Sequence, residues 1–203
     1  MAASATIYIV DDDQAARDGL AFMLGSLGLE ILSFAAPETF LAEFDADVRG
    51  CCLFDMRMPG MTGLELLDEM NRRGCLLPVI FITGHGDVPL TVRAMRAGAY
   101  DFVEKPVNGM DLLERINEAL RLCDRRQAEQ RAKTDVGSLV ASLTPREREV
   151  ARAVMAGKQN KMIAFELGIS MKTVEIHRHN AMEKLNAGSA AEFVRKLMEA
   201  GWT

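Results

Sequence analysis

Cys51-Cys52-Leu53-Phe54-Asp55, followed at once by Met56-Arg57-Met58-Pro59-Gly60, is the stretch whose reading decides the fold. A short apolar run bounded by a Pro-Gly turn reads as a buried strand, and Asp55 closes this one. In open α/β sheets, ligands and chemistry gather at the carboxyl ends of the strands. A carboxylate at that end, next to a flexible loop, is placed to react.

The same pattern recurs on both sides of this stretch. Thr6–Val10 is a strand followed directly by Asp11-Asp12-Asp13, and from Gln14 the apolar spacing turns helical (Ala16, Leu20, Met23, Leu24, Leu27) until Gly28. Ile31–Phe34 reads as a second strand, and Pro37 opens a short helix through Phe40, Leu41 and Phe44. Leu64–Met70 has the helical period, and Pro78–Thr83 is a strand. Asp87 caps a helix that ends before Gly98. Tyr100–Glu104 is a fifth strand, and Asn108 precedes a helix through Leu112, Leu113, Ile116 and Leu120. Five alternations predict a doubly wound, five-stranded parallel sheet covered by helices on both faces.

That order places Asp11, Asp12, Asp55, Thr83 and Lys105 on one rim of the sheet. Three carboxylates there repel one another, and a hard divalent cation with oxygen ligands, Mg²⁺, relieves the repulsion. Lys105 adds a second positive charge, and Asp55 is left as the nucleophile that forms an aspartyl phosphate. Asp13 reads as the cap of the following helix.

Composition sets the outer bounds. The 203 residues allow one ordinary domain and a small one. Residues 1–124 carry 20 acidic and 10 basic side chains, whereas residues 125–203 carry 9 acidic and 14 basic ones. An acidic half joined to a basic half points to different partners, with nucleic acid favoured for the basic end. Cys51, Cys52, Cys75 and Cys123 have no metal-binding spacing and read as core thiols of a reducing compartment. The start of the chain lacks a signal peptide's basic patch and apolar run, and no apolar segment approaches the roughly 20 residues needed to span a bilayer. A cytoplasmic protein without a membrane partner is expected.

From Arg121 to Lys133 the composition favours helix without Gly or Pro, so the last helix of the first half is expected to continue as a solvated linker over 123–138, ended by Gly137-Ser138. Polar Gln127, Gln130 and Thr134 at the continuing 3–4 spacing argue against a coiled-coil seam. The remainder, 139–203, reads as a small all-α domain. Thr144, Pro145 and Glu147 open a helix with a capping box. Asn160–Leu167 is a second helix stopped by Gly168, Ser170 caps a third to Leu185, and Ser189 with Glu192 forms a capping box for a fourth. Helix, Gly-bearing turn, helix is the helix-turn-helix pattern, whose second helix enters the DNA major groove. In that helix Val174, Ala181 and Leu185 face inward, and Lys172, Ile176, His179, Asn180 and Glu183 face out. Ile176 suits a thymine methyl, and His179 and Asn180 suit base edges. Thr173, Arg178 and Lys184, with Asn160 and Lys161 at a helix N-terminus, suit phosphates. His177 and His179, two apart on a helix, are not a metal pair.

Val10-Asp11-Asp12-Asp13, Asp55 through Gly63, Phe81-Ile82-Thr83-Gly84-His85-Gly86-Asp87 and Glu104-Lys105-Pro106 together resemble the receiver domain of bacterial response regulators, across about the first 120 residues. The resemblance implies a flavodoxin-like domain over 1–122 that binds Mg²⁺ through Asp11, Asp12, Asp55 and the Arg57 carbonyl. It implies phosphoryl transfer to Asp55 from a phosphohistidine on a sensor histidine kinase, and a cis Lys105–Pro106 bond. Thr83 and Tyr100 match the family's switch pair, with Tyr100 turning inward behind Thr83. Arg57 and His85 flank the phosphoryl site, where they are expected to set the lifetime of the phosphate. Leu143 through Val150, Asn160-Lys161-x-Ile163-Ala164, and Thr173-Val174-Glu175-x-His177-Arg178 with Lys184-Leu185 resemble the LuxR-type DNA-binding domain. Joined in this order, the chain is similar to FixJ-type regulators, with Glu175 and Glu183 acidic where some relatives carry bases.

The expectation is therefore not an enzyme but a phosphorylation-switched transcription regulator that homodimerises on double-stranded promoter DNA, with RNA polymerase as a candidate partner. A constitutive DNA binder whose receiver serves assembly only is the alternative. A distant one is a haloacid dehalogenase-like phosphatase using Asp11-x-Asp13, which lacks the acid it needs after Gly86-Asp87.

Overall fold

The computed structural model describes residues 5–84 and 88–202. Its first part is a five-stranded parallel sheet in the order β2-β1-β3-β4-β5, with β1 at Thr6–Val10, β2 at Glu30–Phe34, β3 at Gly50–Asp55, β4 at Val79–Thr83 and β5 at Asp101–Glu104. Helices α1 (Gln14–Gly25), α2 (Pro37–Glu43), α3 (Gly63–Arg72), α4 (Val88–Arg96) and α5 (Gly109–Ala141) alternate with the strands. The chain steps from β1 to β2 on one side and returns to place β3 on the other, so the topological switch lies between the carboxyl ends of β1 and β3. Asp11 and Asp55 stand at those two ends.

The period-2 alternation of the strands divides their side chains between two cores. Ile7 and Ile9 of β1, Cys51 and Leu53 of β3, and Ile80 and Ile82 of β4 pack with Leu20 and Leu24 of α1 and with Leu112, Ile116 and Leu120 of α5. Their neighbours Tyr8, Val10, Cys52, Phe54 and Phe81 face the opposite core, with Phe40 of α2 and Leu66, Leu67 and Met70 of α3. Phe40 sits edge-on to Tyr8, Phe34 and Phe54, with ring centroids 5.3–5.6 Å apart. Each fully buried side chain of this size contributes about 1.5–3 kcal/mol of transfer free energy. The four cysteines are free thiols, and burial pushes those of Cys51 and Cys52 up and keeps them protonated. The Lys105–Pro106 bond is cis. The expected Asp87 cap lies outside the described residues.

The long helix differs from its expected limits. The stop expected at Gly137-Ser138 is absent, and α5 runs unbroken to Ala141. The chain divides within it into two compact units, one ending at Gln127 and the other starting at Ala128. Residues expected in the linker are held on the first unit. Arg49 makes a bidentate ion pair with Asp124 at 2.7 and 3.1 Å, and Gln127 donates to the carbonyls of Asp47 and Val48 at 3.1 and 2.9 Å. At the other end Val136, Leu139 and Val140 pack into the core of the second unit. Burying that apolar stripe offsets the roughly 1 kcal/mol that a helical glycine costs. Only 128–135 is exposed along its whole length.

The second unit contains α6 (Pro145–Met155), α7 (Asn160–Leu167), α8 (Met171–Lys184) and α9 (Ala190–Glu199). The Thr144 and Glu147 side chains form the expected capping box. Gly168 ends α7 at φ 64°, a conformation that costs a glycine little, and Ser170 caps α8. At α9 the expected box is only half formed. Ser189 accepts from the Glu192 N–H, but the Glu192 carboxylate accepts from Gly188 one residue earlier, at 2.9 Å. Among the described residues no helix is long and apolar enough to cross a membrane.

Gly63 opens α3 directly beneath the end of β3. A methyl group there would run into the Asp55 carbonyl and lie 2.9 Å from Phe81 Cε1. Gly63→Ala is therefore expected to destabilise the first unit by about 1–3 kcal/mol, read as a lower midpoint for that unit in urea unfolding followed by circular dichroism.

Candidate functional site

Each acidic group at the rim is set by where its strand stops. Asp55 is the last residue of β3, and its Oδ2 accepts the Arg57 N–H at 2.7 Å. Asp11 follows β1 directly and is almost fully buried. Lys105 follows β5, and its Nζ bridges the two carboxylates, 2.9 Å from Asp11 Oδ2 and 2.9 Å from Asp55 Oδ1. Burial alone would lower the Lys105 ammonium, but the hydrogen bonds to Asp55 and Asp11 outweigh it and hold the group above its ordinary range. Thr83, the last residue of β4, is buried beside it. Asp55, Met56, Arg57, Thr83, Gly84 and Lys105 line an open cleft of about 260 Å³.

The three rim aspartates differ in their surroundings. Among the described residues no three carboxylate, histidine or cysteine side chains converge closely enough to hold a metal ion together. Asp11 and Asp55 meet on Lys105, whereas Asp12 is exposed. One ammonium balances buried Asp11 and partly buried Asp55, and a third like charge gains more from water. The donor chemistry still fits Mg²⁺, which binds through one or two carboxylates and keeps several waters.

Asp13 caps α1, its carboxylate accepting the Ala15 N–H at 2.9 Å. Tyr100 is half-buried, and its hydroxyl donates to Glu118 on α5 at 3.1 Å. Burial first, and then that carboxylate, raise the tyrosine above its ordinary value. His85 lies outside the described residues. One contact had no clear signal in the sequence: Arg17 Nη1 donates to the Asp11 main-chain carbonyl at 2.6 Å. Its spacing, three residues into the helix after an acidic run, is the only hint.

In the second unit, Val174, Ala181 and Leu185 are fully buried and fix the rotation of α8. Ile176 is consequently left 49% exposed on the opposite side. His179 and Lys172 are also exposed there, and Asn180 is half-buried. Arg178 donates to Asn160 at 3.0 Å and so joins α8 to the start of α7, next to exposed Lys161. Thr173 shares a hydrogen bond with the capping Ser170 hydroxyl at 2.8 Å. Lys184, expected as a phosphate contact, has a partner within the unit. Its Nζ lies 2.7 Å from the buried carboxylate of Glu147 and reaches the Ser142 carbonyl. A buried carboxylate needs a charged partner more than a solvated phosphate does.

Burial alone would raise Glu147, but Lys184 and the Thr144 hydrogen bonds prevail and keep it below its ordinary value. A lowered carboxylate stabilises the fold above its unfolded value, about 4.3, and that contribution is lost as pH falls through the folded value. Glu147→Gln should destabilise the second unit by about 1–3 kcal/mol at neutral pH. The gap from wild type should narrow below about pH 4, as measured by chemical denaturation at a series of pH values.

Comparison with known proteins agrees with this geometry. Residues 7–117 match the family described as Response regulator receiver domain, and residues 141–197 match Bacterial regulatory proteins, luxR family. The chain is 44% identical to the transcriptional regulatory protein FixJ of Azorhizobium caulinodans, over 99% of this chain and 95% of that protein. The solved structure of the response regulator StyR matches with a TM-score of 0.82 at 42% identity, covering 97% of this chain and all of that one. Full-length FixJ from B. japonicum matches at 42% identity with a TM-score of 0.58, covering 97% of each chain.

Proposed function

Because the chain belongs to the FixJ-type response regulators, which pair a receiver with a LuxR-type domain for phosphorylation-dependent control of transcription, we propose that Asp55 is the phosphoacceptor and that its phosphate governs assembly on DNA. The observation that carries this reading is the Lys105 ammonium between Asp11 and Asp55, at the mouth of a cleft walled by Thr83. An Asp55 carboxylate oxygen attacks the phosphorus of a phosphohistidine on a sensor histidine kinase. The P–O bond forms as the P–N bond breaks, and the imidazole leaves with the bonding pair and takes up a proton. Asp11, Asp12, Asp55 and the Arg57 carbonyl would hold Mg²⁺, which when bound neutralises charge on the transferring oxygens.

Lys105 then follows the new negative charge and pairs with a phosphoryl oxygen, as an ammonium on a flexible stem can. Thr83 donates its hydroxyl to a second oxygen. Its movement opens space behind it, and Tyr100 leaves Glu118 to fill that space. The surface of α4 and β5 repacks, and two receivers pair about a two-fold axis. Their second units present two α8 helices to paired half-sites of double-stranded DNA, within reach of RNA polymerase. The setting is the cytoplasm. Domain limits of 1–122 for the receiver, 123–138 for the linker and 139–203 for the DNA-binding part remain the working division, with the anchoring of 123–127 on the receiver as its refinement.

Asp55→Asn should keep the fold while abolishing phosphate incorporation from a small phosphoryl donor with Mg²⁺. In the wild type that treatment should raise dimer content and tighten specific DNA binding by about tenfold, near 1.4 kcal/mol. Equal binding with and without the donor rejects the switch.

Ile176 provides a separate check on the DNA face. Ile176→Ala should weaken a specific site by about 1–2 kcal/mol and leave random-sequence binding and its salt slope unchanged. Parallel loss on both sequences, measured by fluorescence anisotropy, removes α8 from the groove.

A further inference from the structure

Asp11 is held at every polar atom it has. Its N–H donates to the Phe34 carbonyl at 3.3 Å, its Oδ1 accepts the Asp13 N–H at 2.9 Å, and its Oδ2 accepts Lys105 at 2.9 Å. The fourth contact is the 2.6 Å hydrogen bond from Arg17 to its carbonyl oxygen. That carbonyl belongs to the peptide group joining Asp11 to Asp12. The group is planar, so fixing the direction of the oxygen fixes the Asp12 N–H opposite and the path by which Asp12 leaves the strand. Strand pairing cannot do this, because β1 ends at Val10. Arg17 itself is anchored in the first turn of α1 by the bond from its N–H to the Asp13 carbonyl at 3.0 Å.

We propose that Arg17 is a positioning residue for the divalent-cation site: by clamping the Asp11 carbonyl, it orients the Asp11–Asp12 peptide and sets the path from which the exposed Asp12 carboxylate reaches a cation held by Asp11 and Asp55. This inference rests on the receiver reading. Charge and geometry make opposite demands on Arg17. A guanidinium close to a bound cation repels it, so on charge alone the loss of Arg17 tightens cation binding. Loss of the clamp lets the Asp12 backbone wander and weakens it. The sign of the change separates the two.

The test titrates Mn²⁺, which takes the same oxygen ligands as Mg²⁺, into full-length protein while free ion is followed by electron paramagnetic resonance. Wild type, Arg17→Met and Arg17→Gln are compared, with Asp12→Asn marking the background of other sites. Both Arg17 variants should bind Mn²⁺ about tenfold more weakly than wild type, with melting midpoints within a few degrees of it. Affinity unchanged or tightened in a folded variant overturns the assignment. So does weakening that only tracks a collapsed melting temperature, or failure of both variants to fold, since Arg17 would then act on stability alone. Should only the methionine variant fail to fold, the glutamine variant decides. A wild type that fails to bind Mn²⁺ overturns the cation site of the proposed function, whereas binding by wild type with unchanged variants overturns only the role of Arg17.

Discussion

Two carboxylates at the carboxyl ends of adjacent parallel strands repel each other, and the first unit answers with a single ammonium. Lys105 reaches Asp11 and Asp55 at equal distances from the loop after β5, across the sheet from β1. The fold is arranged to make that meeting possible. Strand order puts β1 and β3 side by side at the switch point, the glycine at the head of α3 lets the loop after Asp55 close tightly, and the aromatic packing of Phe40 with Tyr8, Phe34 and Phe54 holds the strands in register below. A lysine so placed does two jobs in sequence. It neutralises the Asp11 and Asp55 carboxylates at rest, and on the proposed reading it is already within reach when a phosphoryl group arrives on Asp55.

The second unit uses the same device to a different end. Glu147 closes the capping box of α6 and at the same time anchors Lys184 at the end of α8. One buried carboxylate thereby fixes the start of one helix against the finish of another. The contact sets the pitch of α8 relative to the rest of the unit, as the inward Val174, Ala181 and Leu185 set its rotation. With both constrained, Ile176 has little choice but to face outward. Its exposure follows from the packing, and this makes it more informative than any one polar residue on that face.

What could be read in the sequence was whatever depends on local pattern. Asp55, Thr83 and Lys105 were legible because each directly ends or follows an apolar strand, and parallel strands bring their ends together. Thr144 and Ser170 were legible because caps act within one turn. The rest depended on pairings across the chain. Lys184 pairs with buried Glu147, 37 residues earlier, and no local pattern announces that contact. Glu118 gave no sign of holding Tyr100, since both are ordinary surface residues in isolation. Asp12 looked equivalent to Asp11, and only the burial of Asp11 under Lys105 separates them. The helix continues through Gly137 because the apolar contacts of Val136, Leu139 and Val140, which lie outside any local pattern, offset the glycine's intrinsic cost.

On the proposed reading, the division into two units explains why assembly can serve as the switch. The basic half has only a modest excess of positive charge, 14 basic against 9 acidic residues, so one copy gains a limited electrostatic attraction to DNA. Joining two copies makes the second contact intramolecular, and the gain then comes from effective concentration with no new contact to a base. The face of α8 can therefore stay the same before and after phosphorylation. All that Asp55 must change is the receiver surface on which a second copy pairs, and a coupling of about 1–3 kcal/mol, the usual range between linked sites, is enough to do so. An acidic site joined by an exposed helical stretch to a second, separately packed unit meets that requirement without any change of fold in either.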